Sequence, residues 1–343
     1  MRVVQNLIAA AIGASLLFSP TLAAAQQVVR IGQATSALSF MPLWAARALD
    51  GYAAQGLTLT TAVVPGGDPS ALAALDAGDI DLAAVGSEAV LRAAAKGQPF
   101  QIVYSLMSKV TLQLVVSNEL MQRTGVKPTD PIEKRLAALK GALVGVSSIG
   151  GAQDTAARWL AAKGGLDPKN DIKVAQVGNP PALRAALENK RIDAFVLSPP
   201  EGYLAEKSGA GTVLVSLGDE FPLLAHQPFL VLVAKKPVDA KTTDLIVRTV
   251  KVMQAASTAL VQKPEPTALA IQSQFFAKAE PDSIVAGVKA MASGVADGGR
   301  LDVQSFQNLL TFAKEVGTDF GKEFDAKASE NDLWTNSFID KAK

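Results

Sequence analysis

The stretch PSALAALDAGDIDLAAVG, residues 69–86, recurs with changes as PALRAALENKRIDAFVLS at residues 181–198. The two stretches align without gaps from Pro69 and Pro181 onward, and both place an Ile-Asp pair directly before an apolar run. Each stretch predicts a short helix, a turn and a buried strand. The recurrence therefore indicates a duplicated structural unit rather than a chance similarity between alanine-rich helices.

The segment upstream of each stretch is duplicated as well. Residues 28–64 predict the order strand, loop, helix, strand, and residues 141–177 predict the same order. Apolar strands that alternate with helices are typical of parallel sheets covered by helices on both faces. We therefore expect an α/β protein with two similar lobes, formed by about residues 28–105 and 136–217.

Two further strand-like runs, at residues 110–116 and 228–234, follow the two lobes. They predict two chain crossings, and hence two lobes joined by a two-stranded hinge. From Asp239 onward the apolar residues recur at helical spacing, which predicts a helical C-terminal extension that packs back on the first lobe. The predicted division of the chain is lobe 1 at residues 26–110 plus 230–343, and lobe 2 at residues 111–229.

The N-terminal residues MRVVQNLIAAAIGASLLFSPTLAAAQQ have the pattern of a secretory signal peptide. A charged start precedes an apolar run from Leu7 to Phe18, which is too short to span about 30 Å of hydrocarbon. Small residues follow, so we expect a signal peptide at residues 1–25 that is cleaved after Ala25. The chain has no cysteine that could carry a lipid anchor. The sequence therefore predicts a periplasmic protein.

Composition excludes several classes of function. The formal net charge is +1, and no basic run indicates a nucleic-acid or lipid surface. The chain has no cysteine and a single histidine, His226, so thiolate catalysis and cysteine- or histidine-cluster metal sites are excluded. We expect a monomer that uses neither a metal nor a cofactor.

The loops that follow the predicted strands are small, polar or rich in glycine. In open α/β sheets, ligands bind beyond the carboxyl ends of the strands, and helix starts there present free N–H groups. Two facing lobes would bring about six such loops around one cleft. The candidate ligand-binding residues are Ser36, Ser39, Phe40, Gly66, Gly67, Ser87, Glu88, Ser147, Ser148, Gly150, Gly151, Gln153, Ser198 and Glu201.

The turn GVSSIGGA, residues 145–152, resembles a phosphate-binding loop only in part. Gly151 and Ala152 stand where that motif has its lysine and hydroxyl residue. What remains is a helix start whose amides and dipole can hold an anion. The alternative is that the glycines only turn the chain and that Ser148 or Asp154 caps the helix.

Several motifs together resemble one protein family. They are PLWAARALDGYAAQGL, AGDIDLAAVG, LKGALVGVSSIGGAQDTAARWL and GLDPKNDIKV, with RIDAFVLSPP and the tail NDLWTNSFIDK. The chain resembles the solute-binding proteins of ABC importers, of the nitrate/sulfonate/taurine type that also includes binders of thiamine precursors. The resemblance implies a type II periplasmic binding protein fold, capture of a ligand between two lobes, and delivery to a membrane permease without catalysis.

Two other functions stay open at this point. A periplasmic sensor that signals to a receptor would have the same fold and a different partner. A serine hydrolase would need a triad, which Ser147, Asp154 and His226 could supply. GVSSIG misses the nucleophile motif G-x-S-x-G, however, because Ile149 replaces its last glycine.

The ligand is expected to be a small organic molecule, and its charge is left open. Bare helix starts could hold one sulfonate- or carboxylate-like group. The acidic residues Glu88, Asp154 and Glu201 could instead hold an amine or a heterocyclic N–H. Four aromatic residues are either flat walls of the site or core residues, namely Phe40, Trp44, Tyr104 and Phe229.

Overall fold

The computed structural model describes residues 26–317 and 329–343, and the predicted signal peptide at residues 1–25 lies outside the described residues. The described chain forms two five-stranded sheets. The strands are β1 (Gln27–Gln33), β2 (Leu57–Val63), β3 (Leu82–Gly86), β4 (Phe100–Met107), β5 (Gln113–Ser117), β6 (Leu143–Val146), β7 (Lys173–Gln176), β8 (Ala194–Leu197), β9 (Gly211–Ser216) and β10 (Leu230–Lys235). Sheet A has the order β2-β1-β3-β10-β4, and sheet B has the order β7-β6-β8-β5-β9.

Helices cover both sheets, as apolar strands require. The α-helices in the described residues are α1 (Met41–Ala48), α2 (Gly51–Ala54), α3 (Asp68–Ala77), α4 (Ser87–Ala95), α5 (Asn118–Thr124), α6 (Ile132–Ala137), α7 (Ala152–Lys163), α8 (Pro180–Glu188), α9 (Glu201–Lys207), α10 (Leu217–Glu220), α11 (Pro222–Ala225), α12 (Ala240–Gln262), α13 (Pro264–Phe275), α14 (Pro281–Met291), α15 (Val303–Glu315) and α16 (Ser337–Lys341). Across residues 26–317 and 329–343, every helix is too short or too polar to cross a membrane.

The two sheets have the same topology, which confirms the duplicated α/β architecture. β1 runs parallel to β2 and β3, and β6 runs parallel to β7 and β8 in the same way. Equivalent glycines make room for equivalent side chains. A Cβ atom at Gly32 would lie 2.5 Å from Cδ1 of Ile80, and one at Gly145 would lie 2.7 Å from Cδ1 of Ile192.

The chain passes between the sheets twice, at residues 108–112 and 217–229. The two runs predicted to be the crossings themselves, residues 110–116 and 228–234, instead form most of β5 and β10, and each strand lies inside a sheet between two antiparallel neighbours. All five residues of β5 are buried. The second crossing carries α10 and α11, so the link between the lobes is one extended segment and one helical segment.

The C-terminal helices complete lobe 1, which contains sheet A. The long helix α12 begins at the N-cap Asp239, whose carboxylate accepts a hydrogen bond from the N–H of Thr242, and Pro264 begins the next helix directly after it. α12 packs on α1, and α13 packs on α1 and α14. α15 differs, because it contacts α4 of lobe 1 and α11 in the second crossing.

Candidate functional site

Loops from both lobes enclose a small cavity with polar and apolar lining residues, here called the cleft cavity. Its volume is about 30 Å³. A single water needs at least about 10–15 Å³ by the same measure, so the lobes are closed on each other in this structure. The lining residues are Ala34, Thr35, Ala37, Ser39, Phe40, Asp68, Leu112, Ser148, Ala152, Gln153, Ser198, Phe229 and Leu230.

A second cavity of about 20 Å³, here called the adjoining cavity, shares Leu112, Ala152 and Phe229 with the first. It extends from the start of α4 toward α15. The remaining lining residues are Gly86, Ser87, Glu88, Val110, Thr155, Ala156, Leu217, Gln227, Leu309 and Phe312. The two cavities together form the space that a ligand between the lobes would occupy and enlarge.

Asp68 links the two lobes at the centre of this space. It is the first residue of α3, and only 6% of it is exposed. Oδ1 accepts a hydrogen bond of 3.0 Å from the N–H of Gly86, and Oδ2 accepts one of 3.2 Å from the N–H of Ala152 at the start of α7. Burial raises the pKa of the Asp68 carboxyl, and the two backbone N–H groups oppose that rise. The helix start predicted to hold an anion therefore holds a carboxylate of the chain's own other lobe.

Glycines allow this close approach. Gly67 has φ +73°, and a Cβ atom there would overlap the Ser148 side chain of the other lobe. A Cβ atom at Gly151 would lie 2.6 Å from Ser148 Oγ and 3.1 Å from Asp68 Oδ2. Any larger side chain at position 67 or 151 would therefore hold the two lobes apart.

A charged cluster closes the cleft beside Asp68. Glu88, in the first turn of α4, accepts a hydrogen bond of 2.9 Å from Oγ1 of Thr155 in α7. The guanidinium of Arg92 pairs with Glu88, donates to Thr155 Oγ1 at 3.1 Å, and donates to the Gly150 carbonyl oxygen. Burial raises the pKa of the Glu88 carboxyl, against the lowering effects of Arg92 and Thr155.

The structure brings half of the sequence-predicted residues to the two cavities. Ser39, Phe40, Ser148, Gln153 and Ser198 line the cleft cavity, and Ser87 and Glu88 line the adjoining cavity. Gly67 and Gly151 lie where the lobes touch. Like these two glycines, the remaining predicted residues lie outside both linings, namely Ser36, Gly66, Ser147, Gly150 and Glu201.

Local contacts explain two of the residues that lie outside. Glu201 accepts a hydrogen bond of 2.8 Å from Nε of Arg184, within lobe 2. Gly150 helps to line an open groove of about 390 Å³ beside α3 and α4. Its N–H donates to Oδ2 of Asp154 at 2.8 Å. The N-cap of α7 is Gly151 and receives no side-chain hydrogen bond, so neither Ser148 nor Asp154 caps the helix.

The four aromatic candidates divide equally between site and core. Phe40 and Phe229 line the cleft cavity. Trp44 packs against Phe275 at 5.2 Å between ring centroids. Tyr104 is fully buried in β4, and burial raises the pKa of its hydroxyl. Trp44 and Tyr104 are therefore core residues, because the helices of the extension cover them.

Sequence reasoning missed four polar residues that line the cavities, Thr35, Asp68, Thr155 and Gln227. A signal for Asp68 exists in the duplication, because Pro180 occupies the equivalent position at the start of the second repeat's helix. A polar residue present in only one of the two repeats is a candidate for a role that the other repeat lacks. Thr35, Thr155 and Gln227 carry no comparable signal.

The proposed hydrolase triad does not assemble. The His226 side chain is 53% exposed, and its Nε2 lies 3.1 Å from Oδ2 of Asp302. Asp154 is occupied by the Gly150 N–H and by Arg158, and Ser147 Oγ has no hydrogen-bond partner among the described residues. None of the three triad candidates hydrogen-bonds to another. Within residues 26–317 and 329–343 there is also no cluster of three or more His, Cys, Asp or Glu side chains suited to a metal ion.

Comparisons with known proteins agree with this arrangement. Residues 22–275 match the model of the NMT1-like family. The chain belongs to the NMT1-like family. The resemblance to periplasmic solute-binding proteins that the sequence motifs indicated is thus confirmed at the level of the family and the fold.

Individual relatives of this NMT1-like protein are distant. YtlA of Bacillus subtilis (strain 168), named as a binding protein, is 24% identical over 228 residues, which are 66% of this chain and 64% of YtlA. A solved protein from Bordetella bronchiseptica RB50 superposes with a TM-score of 0.79 at 23% identity, covering 92% of this chain and 96% of that protein. The ligand-binding component of an ABC-type import system from Staphylococcus aureus gives a TM-score of 0.71 at 17% identity, covering 93% and 99%. At these identities the structures establish the shared fold.

Proposed function

We propose that this NMT1-like protein is the extracytoplasmic solute-binding component of an ABC importer. It captures a small organic molecule between its two lobes and delivers it to a membrane permease. The observation that carries the proposal is a cavity lined by polar and apolar residues from both lobes, at a place where the described part of the chain crosses between the lobes twice. The fold shared with a ligand-binding component of an ABC-type import system supports the role.

The closed form is held by contacts that a ligand would reinforce. Asp68 binds Ala152, and Glu88 binds Thr155, each across the cleft. A ligand stabilises the closed form only by the difference between its affinities for the closed and the open form. The residues lining the cleft cavity would supply that difference, because they come together only on closure.

The proposal also includes the oligomeric state, the localisation, the domain bounds and the absence of catalysis. The protein acts as a monomer in the periplasm after removal of residues 1–25, and its domains are residues 26–110 with 230–343 and residues 111–229. It catalyses no reaction, in keeping with a cleft whose serine, acid and histidine candidates do not contact one another. The candidate ligand residues are those of the two linings, which include Asp68, Thr155 and Gln227.

The absence of native cysteine makes the proposal directly testable. Cysteines at Val63 and Ile149, which are 45% and 48% exposed on opposite lobes, accept a spin-label pair. We expect a screened ligand to shorten the distance between the labels and to raise the Tm by mass action. A ligand that raises the Tm without changing the label distance would contradict capture between the lobes.

A further inference from the structure

We propose that the cleft selects a ligand that donates N–H hydrogen bonds, an amine or an amidine, and that Asp68 is its principal anchor. The sequence leaves the charge of the ligand open, with a sulfonate- or carboxylate-like group as its first suggestion, and the charges inside the cleft favour an amine instead. The ligand class rests on the proposed function, because it concerns the same cleft.

The charges that line the two cavities have one sign. Among the described residues, Asp68 and Glu88 are the charged lining residues, and no Lys or Arg lines either cavity. Glu88 is already paired with Arg92, whereas Asp68 has only backbone N–H partners among the described residues. An oxyanion would therefore face the buried carboxylate of Asp68 in surroundings where water screens charge poorly, and a cation or an N–H donor would be attracted by it.

The helix start that could have held an oxyanion is already engaged. Ala152 N–H donates to Asp68, and Gly150 N–H donates to Asp154. A sulfonate or carboxylate at this end of α7 would have to displace Asp68 and leave that carboxylate buried without its partner, which is costly. The dipole of α7 thus stabilises the anchor Asp68 rather than an incoming anion.

The two cations beside this space are already paired. Arg92 pairs with Glu88 and donates to Thr155 and to the Gly150 carbonyl oxygen. Its side chain also lines the open groove beside α3 and α4. Lys109, at the first crossing, pairs with Asp219 at 2.5 Å. An incoming anion would have to compete with the chain's own carboxylates for either cation.

The side chain of Gln227 provides a second, independent hydrogen-bond acceptor in the same space. Gln227 is 2% exposed and lines the adjoining cavity together with Glu88. Its Oε1 atom is buried and has no hydrogen-bond partner among the described residues. Buried acceptors without a partner are rare in folded proteins, and a donor supplied by a ligand would satisfy this one.

The remaining lining residues indicate the size and polarity of the rest of the ligand. Phe40, Phe229 and Leu112 provide apolar surface next to the acceptors. Aromatic walls beside a few converging polar groups suit a compact ligand with an apolar body and a polar end. Burial raises the pKa of Asp68, and a bound cation would lower it again, so that ligand binding and ionisation of the anchor would support each other.

The test uses matched probes on the full mature protein. The probes form sets that share an apolar group and differ in the charge of the head group. Benzylamine and benzamidine are compared with benzoate and benzenesulfonate, and butylamine is compared with butanesulfonate. Affinities are measured by thermal shift and isothermal titration. Closure of the lobes is measured as a decrease in the distance between the two spin labels. We expect the amine or amidine member of at least one set to bind and its anionic counterpart to have no effect.

Two variants assign the binding to the named groups. Asp68→Asn should weaken binding of the amine by about tenfold or more, as expected for loss of a charge-assisted hydrogen bond. Asp76→Asn, in the same helix but in a half-exposed ion pair with Lys235, is the matched control and should leave the affinity unchanged. Gln227→Leu should weaken the same ligand while circular dichroism shows an unchanged fold.

The possible outcomes separate the ligand class from the proposed function. Binding and lobe closure by sulfonates or carboxylates, with no response to amines, would overturn the ligand class and leave the solute-binding role intact. Equal binding by wild type and Asp68→Asn would overturn the role of Asp68 as anchor. No binding by any probe, together with no small molecule extracted from protein isolated from its own host, would contradict both.

Discussion

The carboxylate of Asp68, at the first residue of α3 in lobe 1, accepts a hydrogen bond of 3.2 Å from the backbone N–H of Ala152, at the first residue of α7 in lobe 2. The N-terminal ends of two helices from different lobes thus share one buried charge. The same carboxylate also binds the N–H of Gly86 at the end of β3. Opening of the cleft would therefore break this contact and change the surroundings of a helix start in each repeat.

Substitution of Asp68 by Asn is expected to open the cleft. The asparagine oxygen can accept from Gly86 or from Ala152, and its NH₂ group then faces the other N–H. Loss of a hydrogen bond to a charged group is worth about 1.5–3 kcal/mol, so the closed population should fall roughly ten- to a hundredfold. Spin-label distances on the ligand-free protein measure this change. A distribution identical to that of Asp76→Asn would contradict the coupling.

Substitution of Gly67 by Ala is expected to prevent full closure, because the new Cβ atom overlaps Ser148. Ligand affinity should fall by at least about tenfold, the effect of roughly 1.4 kcal/mol. Gly78→Ala is the control, since Gly78 also has a positive φ and nothing lies within 4 Å of its added Cβ atom.

The double variant Gly67→Ala, Ser148→Gly distinguishes overlap from backbone strain. The strain at position 67 remains in this protein, while the side chain that causes the overlap is removed. We expect its affinity to match that of Ser148→Gly alone. If the double variant binds as poorly as Gly67→Ala, backbone strain and not the contact between lobes is responsible.

The pH dependence of stability should reveal the buried carboxylate of Glu88. Burial raises its pKa above the ordinary value of 4.5, with Arg92, Thr155 and Asp68 as the facing groups. The folded protein therefore holds this proton more tightly than the unfolded chain. The contribution to the free energy of unfolding is fully present below the unfolded pKa and is lost as pH rises through the folded pKa.

The variant Glu88→Gln removes this titration. Its free energy of unfolding, measured in urea, should therefore improve relative to wild type as pH rises from about 4 to 7. The exposed carboxylate variant Glu265→Gln, of a residue whose pKa is lowered by Lys289, should show the opposite trend or none. A constant difference between Glu88→Gln and wild type across this range would exclude a raised pKa at Glu88.

Trp159 should report movement of the lobes through its fluorescence. Its indole N–H donates to Oε2 of Glu315 at 2.8 Å, and its ring lies 5.4 Å from that of Phe312, both residues of α15. Opening of the cleft would change these contacts between lobe 2 and the C-terminal extension. We expect ligand addition to shift the emission, and Trp159→Phe to abolish the shift. Trp44→Phe, within the lobe 1 core, should preserve it.

Much of the fold is predictable from local patterns. The repeat that starts at Pro69 and Pro181 gives two α/β units, and the two sheets have identical strand order. Apolar runs identify β5 and β10, but not that each lies between antiparallel strands inside a sheet. The spacing of apolar residues indicates which side chains are buried, but it does not indicate which part of the chain packs against them. The sequence favours a core role for all four aromatic candidates, and only the structure separates Phe40 and Phe229, which line the cleft cavity, from Trp44 and Tyr104.

The sequence by itself determined the duplicated α/β architecture, the two chain crossings and the glycine-rich loops at the strand ends. These features follow from residues close together in the chain, whose spacing fixes helix, strand and turn. Only the tertiary structure decided that Asp68 occupies the start of α7 and that Arg92 is engaged by Glu88, Thr155 and Gly150. Both facts depend on the approach of two lobes, where distance and desolvation between groups far apart in sequence determine which charge finds which partner.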